Sequence, residues 1–529
     1  MGEEEFLHTI GKCAILRPDL SFWQDSTKGI GLSQLTLFPV QPRLSKSKYV
    51  AGLQCHKRLY LEIHSPELAT EPDDQTQAIL DNGTQVGELA RRQFPGGVLV
   101  EFGHSNLAAA LKQTRDLVNE PAVPAIFEGA FQFDNVLIRA DVLEQIAAGV
   151  WRLIEVKAST KVKTVHLNDL AVQTYVLGGC GVTLGGMRLM HLNKQYVYDG
   201  EQIDLRQLFT QQDLTAEVTA RLSEVPDRLA AMKAMLTASS PPEIDPGSHC
   251  QEPYVCPFWE HCTQHKPARW IFYLSGGRAT FDKLTAQGIE TIDEIPPGFP
   301  LSLIQQRMKD NVEWVGPQLK LALDTVRYPV YHLDFETVMP AVPRFATTRP
   351  YQTLPFQWSN HVEIGDGTML HDQYLCDECK DPREELAVRL LDSLGREGSI
   401  CVYSDYERLV LRELAEAFPL LRRELYAVIS RLWDLLPVLQ RHYYHPQFGG
   451  SFSIKSVLPA LAPGLDYGDL EIRDGAQAAL AYERMLFGDL DTEEKAGLRA
   501  ALLDYCKRDT LAMVEIRKVL RQKITACQT

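Results

Sequence analysis

Three sets of side chains in this sequence combine residue types and spacings that could do chemistry. In residues 136–175, Asp141 lies in one apolar, β-branched run, Glu155 and Lys157 lie in a second, and Gln173 and Tyr175 follow in a helical stretch. The two runs flank Ala147-Ala148-Gly149, which reads as the turn of a hairpin. Residues two apart in a strand share a face, so Glu155 and Lys157 project together and Asp141 meets them from the adjacent strand. Two carboxylates and an ammonium on one sheet edge suit a Mg²⁺ or Mn²⁺ ion that lowers the pKa of a bound water. Lys157 would position that water and offset negative charge.

A second set sits in the C-terminal third. Asp334 and Glu336 stand in a hydrophobic strand, and period two puts both on one face, close enough to share two metal ions. Tyr505 and Asp509, four apart on a late helix, are neighbours on its surface. The third set is Cys250, Cys256 and Cys262, with Cys55 far upstream. Thiolates are the usual ligands of iron–sulfur clusters; a Zn²⁺ site and buried free thiols are the alternatives.

These residues need elements to hold them. A length of 529 residues allows about two to four domains, and the composition is that of an ordinary globular chain. The formal charge of −15 argues mildly against non-specific nucleic-acid binding, although local basic patches can still track phosphates. No apolar run reaches the roughly 18 residues of a membrane helix, and the acidic N-terminus lacks the basic region of a signal peptide. With eleven cysteines and no signal, reduced thiols or metal ligation in the cytoplasm are expected rather than a disulfide framework.

In chain order, residues 1–43 read as a flexible lead. Ser45 should cap a helix whose Tyr49, Leu53 and Leu59 face inward, with Lys46, Lys48, His56, Lys57 and Arg58 as a basic cluster around Cys55 for phosphate contact. A following helix carries Glu88, and Glu128 opens the sheet region, where it supports a metal or pairs with an arginine. A strand over 186–198 and a polar helix over 212–236 come next. Residues 266–328 read as a helical linker domain. Lys455, after a Gly-Gly turn, could reach a phosphate or merely begin a helix; Cys376 and Cys379 lack a second pair and read as incidental.

Asp141, then Glu155-x-Lys157, then Gln173 resembles the active site of the PD-(D/E)xK nucleases, in their RecB-like branch. Three late cysteines with an upstream fourth resemble the iron–sulfur members of that branch. The resemblance implies a 4Fe–4S cluster on Cys55, Cys250, Cys256 and Cys262, and Glu88 as an extra metal ligand from an N-terminal helix. Asp334-x-Glu336 with Tyr505-x₃-Asp509 resembles the first and third motifs of DnaQ-like 3′–5′ exonucleases of RNase H-like fold, in which four carboxylates hold two metals and the tyrosine orients the water. The second motif departs from that pattern: it reads Tyr403-Ser404-Asp405-Tyr406-Glu407. Glu407 is either the missing acid or, with Ser404, a helix capping box; Asp434 is the substitute. Gln34, Leu35, Leu37 and Phe38 resemble the peptide by which bacterial DNA enzymes dock on the sliding clamp; a short edge strand or a strap on the chain's own core is the alternative.

The whole order resembles a bacterial family that fuses a RecB-like nuclease to an RNase H-like exonuclease. That implies an α/β fold: a restriction-endonuclease-type mixed sheet over 44–265, a helical bridge over 266–328, and an RNase H-like domain over 329–529. The expected function is metal-dependent hydrolysis of DNA in repair, recombination or defence. An RNA-processing nuclease, or a DNA-binding clamp adaptor with a decayed second site, is the alternative.

Overall fold

A computed structural model describes residues 42–101 and 106–526; the clamp-like residues 34–38 and nearly all of the expected lead lie outside the described residues. The fold is α/β with two mixed sheets. The first sheet contains β1 (Leu44–Ser45), β2 (Val98–Leu99), β3 (Ala125–Phe133), β4 (Val136–Ala147), β5 (Val150–Lys157), β6 (Thr183–Leu192) and β7 (Phe209–Asp213). Its order is β2-β3-β4-β5-β6-β7, and β1 pairs with the start of β4, below the stretch that β5 covers. β3, β4 and β5 form an antiparallel meander, and the helix Thr164–Gly179 carries the chain over to β6, parallel to β5.

The hairpin between β4 and β5 turns where its small residues stand. Gly149 adopts a positive φ of 70° there, a backbone that glycine tolerates without a Cβ penalty. The strand expected over 186–198 is shorter and earlier, as β6. The expected polar helix over 212–236 is broken into the end of β7, a short helix Thr215–Thr219 and the helix Val225–Leu236. Pro226 restarts that last helix at its first turn, where a missing N–H costs nothing.

Residues 266–328 are largely helical, with a short strand β8 (Trp314–Val315). They do not form a core of their own. Trp270, Leu284, Met308 and Leu319 share one buried cluster with Val330, Phe356, Leu458 and Met513 of the following sheet domain.

The second sheet contains β9 (Val330–Val338), β10 (Leu354–Glu363), β11 (Met369–Leu375), β12 (Ser399–Val402) and β13 (Leu432–Asp434), in the order β11-β10-β9-β12-β13. The first three are antiparallel, whereas β12 and β13 run parallel to β9. A last strand, β14 (Tyr443–Tyr444), pairs with β8. Alternation along β9 sorts its side chains. Tyr331, Leu333 and Phe335 join a cluster with the helices Arg383–Ser393, Tyr406–Ala417 and Arg422–Ile429, and the other face, with Asp334 and Glu336, is left for the 35-residue helix Thr492–Ala526.

The loop after β9 ties the halves together. Ala341 and Val342 are buried in one cluster with Val86, Ile154 and Met190. Tyr198 N–H donates to Thr348 O (2.9 Å), and Thr347 N–H donates to Tyr198 O (2.7 Å). Among the described residues, no helix is long and apolar enough to cross a membrane.

Candidate functional site

The first centre forms where β4, β5 and two helices meet. Glu155 is fully buried, and its carboxylate accepts from Lys157 Nζ (2.7 Å), Lys46 Nζ (2.8 Å) and Gln173 Nε2 (2.7 Å). Asp141 accepts the Val156 backbone N–H across the hairpin (2.8 Å) and lies 3.7 Å from Lys46 Nζ. Lys157 also pairs with Asp169 (2.9 Å). Burial would raise the Glu155 carboxyl, but the Lys157 and Lys46 charges outweigh it and hold it well below the usual range. Asp141 is pushed up to about 7 by burial and by the charge of Glu155. One carboxylate is therefore kept anionic and the other is poised to gain or lose a proton.

Four of the expected residues, Asp141, Glu155, Lys157 and Gln173, come together here. Two do not. Tyr175 follows Gln173 by two positions, and residues two apart on a helix face different sides; its hydroxyl donates to Asp134 (3.2 Å) and its ring packs against Phe133. Glu88 is exposed on the helix Asp74–Arg91, outside the ion-paired set. Two members went unforeseen. Lys46, expected among phosphate-binding basics, is the first residue of the helix that Ser45 caps and stands between the two carboxylates. Asp169 lies one helical turn before Gln173, a spacing that could have flagged it. Glu128 falls between the Phe127↔Val142 and Gly129↔Ala140 pairs of β3 and β4 and adopts φ 54°, a left-handed backbone inside a strand.

The cysteines gather at the rim of this half. Cys55 separates the helix Lys46–Gln54 from the helix His56–His64 in an extended conformation. Gln54 Nε2 donates to the carbonyls of His249 (2.9 Å) and Tyr254 (2.7 Å), pinning that break to the cysteine loop. Cys250 and Cys256 are buried with Leu61 and Phe258, and Cys262 packs on them. Burial raises all three thiols. No three of these sulfurs lie within 4.8 Å of one another, a wider spacing than the roughly 3.8 Å between thiolates around a tetrahedral Zn²⁺ with 2.3 Å bonds.

The second centre lines a cavity of about 960 Å³. Asp334, Glu336 and Cys506 offer ligand atoms within 4.8 Å of one another, and Cys506 Sγ lies 3.6 Å from Asp334 Oδ2. Asp509, Tyr505, Glu407 and Lys455 line the same space. Asp509 accepts from the hydroxyls of Tyr467 and Tyr505, and Lys455 Nζ stands 5.4 Å from the Tyr505 ring centre. Burial and the neighbouring acids raise Asp334 and Glu336 well above the carboxylate range. Asp509 is pushed up to about 6 by burial, with the Tyr467 hydroxyl opposing. Four acids that cannot all ionise together are a donor set suited to cations.

Glu407 has a divided role. It is 3 % exposed and pushed up to about 8 by burial. The expected Ser404–Glu407 capping box does not form, because Asp405 stands at the helix N-cap and makes no side-chain cap bond; Glu407 instead bonds Ser404 and its own backbone N–H, and its Oε2 is buried with no partner in the protein. Asp434, the substitute acid, caps the next helix by accepting from Leu436 N (2.9 Å) and does not line the cavity. Tyr467 and Cys506 were not foreseen. Tyr467 comes from a loop of no regular pattern, but Cys506 sits three residues before Asp509, on the same helical face.

Residues 331–453 match a family model described as a domain of unknown function (DUF2779). The match takes in Asp334, Glu336 and Glu407 and stops short of Lys455, Tyr505 and Asp509. No curated protein matches the chain.

Proposed function

We propose that this chain is a metal-dependent nuclease with two hydrolytic centres, a RecB-like one in the N-terminal half and a DnaQ-like one in the C-terminal half. The observation that carries the reading is the buried Glu155 carboxylate, which accepts from Lys157 and Gln173, with Asp141 held beside it by the Val156 N–H and bridged to it by Lys46. Strand order supports it. A meander followed by a helical crossover to a parallel strand is the arrangement expected of restriction-endonuclease-type domains, and β11-β10-β9-β12-β13 is that expected of RNase H-like ones.

At the first centre, Asp141 and Glu155 would hold Mg²⁺ or Mn²⁺; Lys46, bridging them as a monovalent cation, marks a position whose oxygen donors fit a small hard ion. At the second, Asp334, Glu336, Asp509 and the free oxygen of Glu407 would hold a metal pair. Such ions supply a more acidic water and neutralise charge on the phosphate. The chain's own residues do the rest. Lys157 orients the attacking water and offsets charge, Gln173 fixes the Glu155 carboxylate, Tyr505 orients water at the second centre, and Lys455 stands ready for a phosphate oxygen. The cysteine quartet would hold a 4Fe–4S cluster that ties residue 55 to the loop at 250–262.

The purified protein, incubated with Mn²⁺ and end-labelled single- and double-stranded DNA and RNA, should shorten at least one of these in a reaction that EDTA stops. All four surviving intact would overturn the reading. Shortening of RNA alone would move the function to RNA processing.

A further inference from the structure

The cavity at Asp334 and Glu336 is not built by the C-terminal half alone. Gln75, Ala78, Ile79 and Asn82, on the first turns of the helix Asp74–Arg91, form part of its wall. This helix belongs to the other half. Its far end buries Val86 and Ala90 against the first sheet, in the cluster that holds Ile154 of β5. Its near end is attached to the second centre: Gln75 Nε2 donates to Asp474 Oδ1 (2.9 Å). Asp474 caps the helix Gly475–Phe487, and a Cβ on Gly475 would lie 3.6 Å from Glu336 Oε2.

Part of the cavity lining is apolar and exposed. Ile79 is 71 % exposed and Met339, just past the end of β9, is 56 % exposed, although both line the cavity. Apolar side chains held uncovered at the mouth of a charged site mark a surface that receives a ligand. A polyanion meets a positive charge here in Lys455, and its flat apolar parts would have Ile79 and Met339 to pack on. An unpaired base offers such a face, and stacking on a side chain is tolerant of base identity. A base held inside a duplex does not. Ligand pockets of about 300–1,000 Å³ enclose small ligands, so a cavity of about 960 Å³ has room for the end of a single strand.

Resting on the nuclease reading above, we propose that the helix Asp74–Arg91 positions the substrate of the second centre: Ile79 packs on the terminal base of a single-stranded nucleic acid whose phosphate lies at Asp334 and Glu336, and Gln75 anchors the helix there. The N-terminal half thereby contributes a specificity-determining wall to the C-terminal site.

The test uses the full chain carrying Lys157→Ala, which leaves only the second centre competent. Because Ile79 is exposed, Ile79→Asp should leave the fold intact. It should raise KM for a short single-stranded oligonucleotide about tenfold with kcat within about twofold, the pattern of lost uniform binding; Ile79→Leu should restore KM. In parallel, a fluorophore on Ile79→Cys should respond when a single-stranded oligonucleotide is added with Ca²⁺, a readout that needs no hydrolysis. An unchanged KM for Ile79→Asp, or a silent fluorophore in a protein that digests the strand, overturns the inference and leaves the nuclease reading standing. A responding fluorophore in a protein that digests nothing supports the wall and contradicts the nuclease reading. No response and no digestion overturn both.

Discussion

Lys157 donates to Glu155 and Asp169 at once, so its ammonium is shared between the buried carboxylate of β5 and a helix. Replacing it with alanine should lower one of the two activities by about 10²–10³-fold, the usual cost of losing a preorganised charge. Mn²⁺ binding measured by calorimetry should persist, because Asp141 and Glu155 remain. Glu407 permits a sharper discrimination. If its free oxygen is a ligand, Glu407→Gln weakens Mn²⁺ binding at the second centre; if it only holds the start of its helix through Ser404, the thermal midpoint falls and binding is unchanged. Away from both carboxylate sets, His361 bonds Thr510 (2.8 Å) beneath the last helix. Burial, with His371 beside it, lowers its pKa to about 4. The unfolded chain therefore binds the extra proton. The stability contributed by neutral His361 is complete above about pH 6.5 and drains away as pH falls toward 4. The loss of thermal midpoint on acidification should be shallower in His361→Asn than in the parent protein.

At the scale of elements, the helix Asp74–Arg91 carries Gly83 and Gly87, and nothing lies within 4 Å of a Cβ added to either. Each Gly→Ala change should raise stability by about 0.5–1 kcal/mol in denaturant unfolding. Strands were the most legible elements in the sequence. Period two assigned Glu155 with Lys157, and Asp334 with Glu336, to common faces because a strand's geometry is local. What a helix presents was harder. Gln173 was placed well and Tyr175 was not, since a stretch read only as helical does not say which of its sides meets the sheet. Lys46 was unreadable for another reason: its partners, Asp141 and Glu155, lie 95 and 109 positions away (141 − 46, 155 − 46), and only tertiary packing brings them together. Residues 266–328 read as a helical linker domain because an amphipathic helical stretch carries no mark of whose core it covers. Here that core belongs to the second sheet.

At the scale of the whole molecule, the proposed function sets two hydrolytic centres, a cysteine quartet and a shared helix in one body. The quartet has its own check: protein purified without oxygen should be brown and carry iron, and Cys256→Ser should lose both colour and iron, whereas a colourless wild-type protein without iron would remove the cluster from the account. The central claim, two separable nucleases in one chain, is tested most directly by comparing the products of four proteins on one end-labelled strand with Mn²⁺: the parent, Lys157→Ala, Asp334→Ala and the double variant. The parent should digest the strand, each single variant should lose a different part of the product pattern, and the double variant should be inert. A double variant that digests as fast as the parent would contradict it.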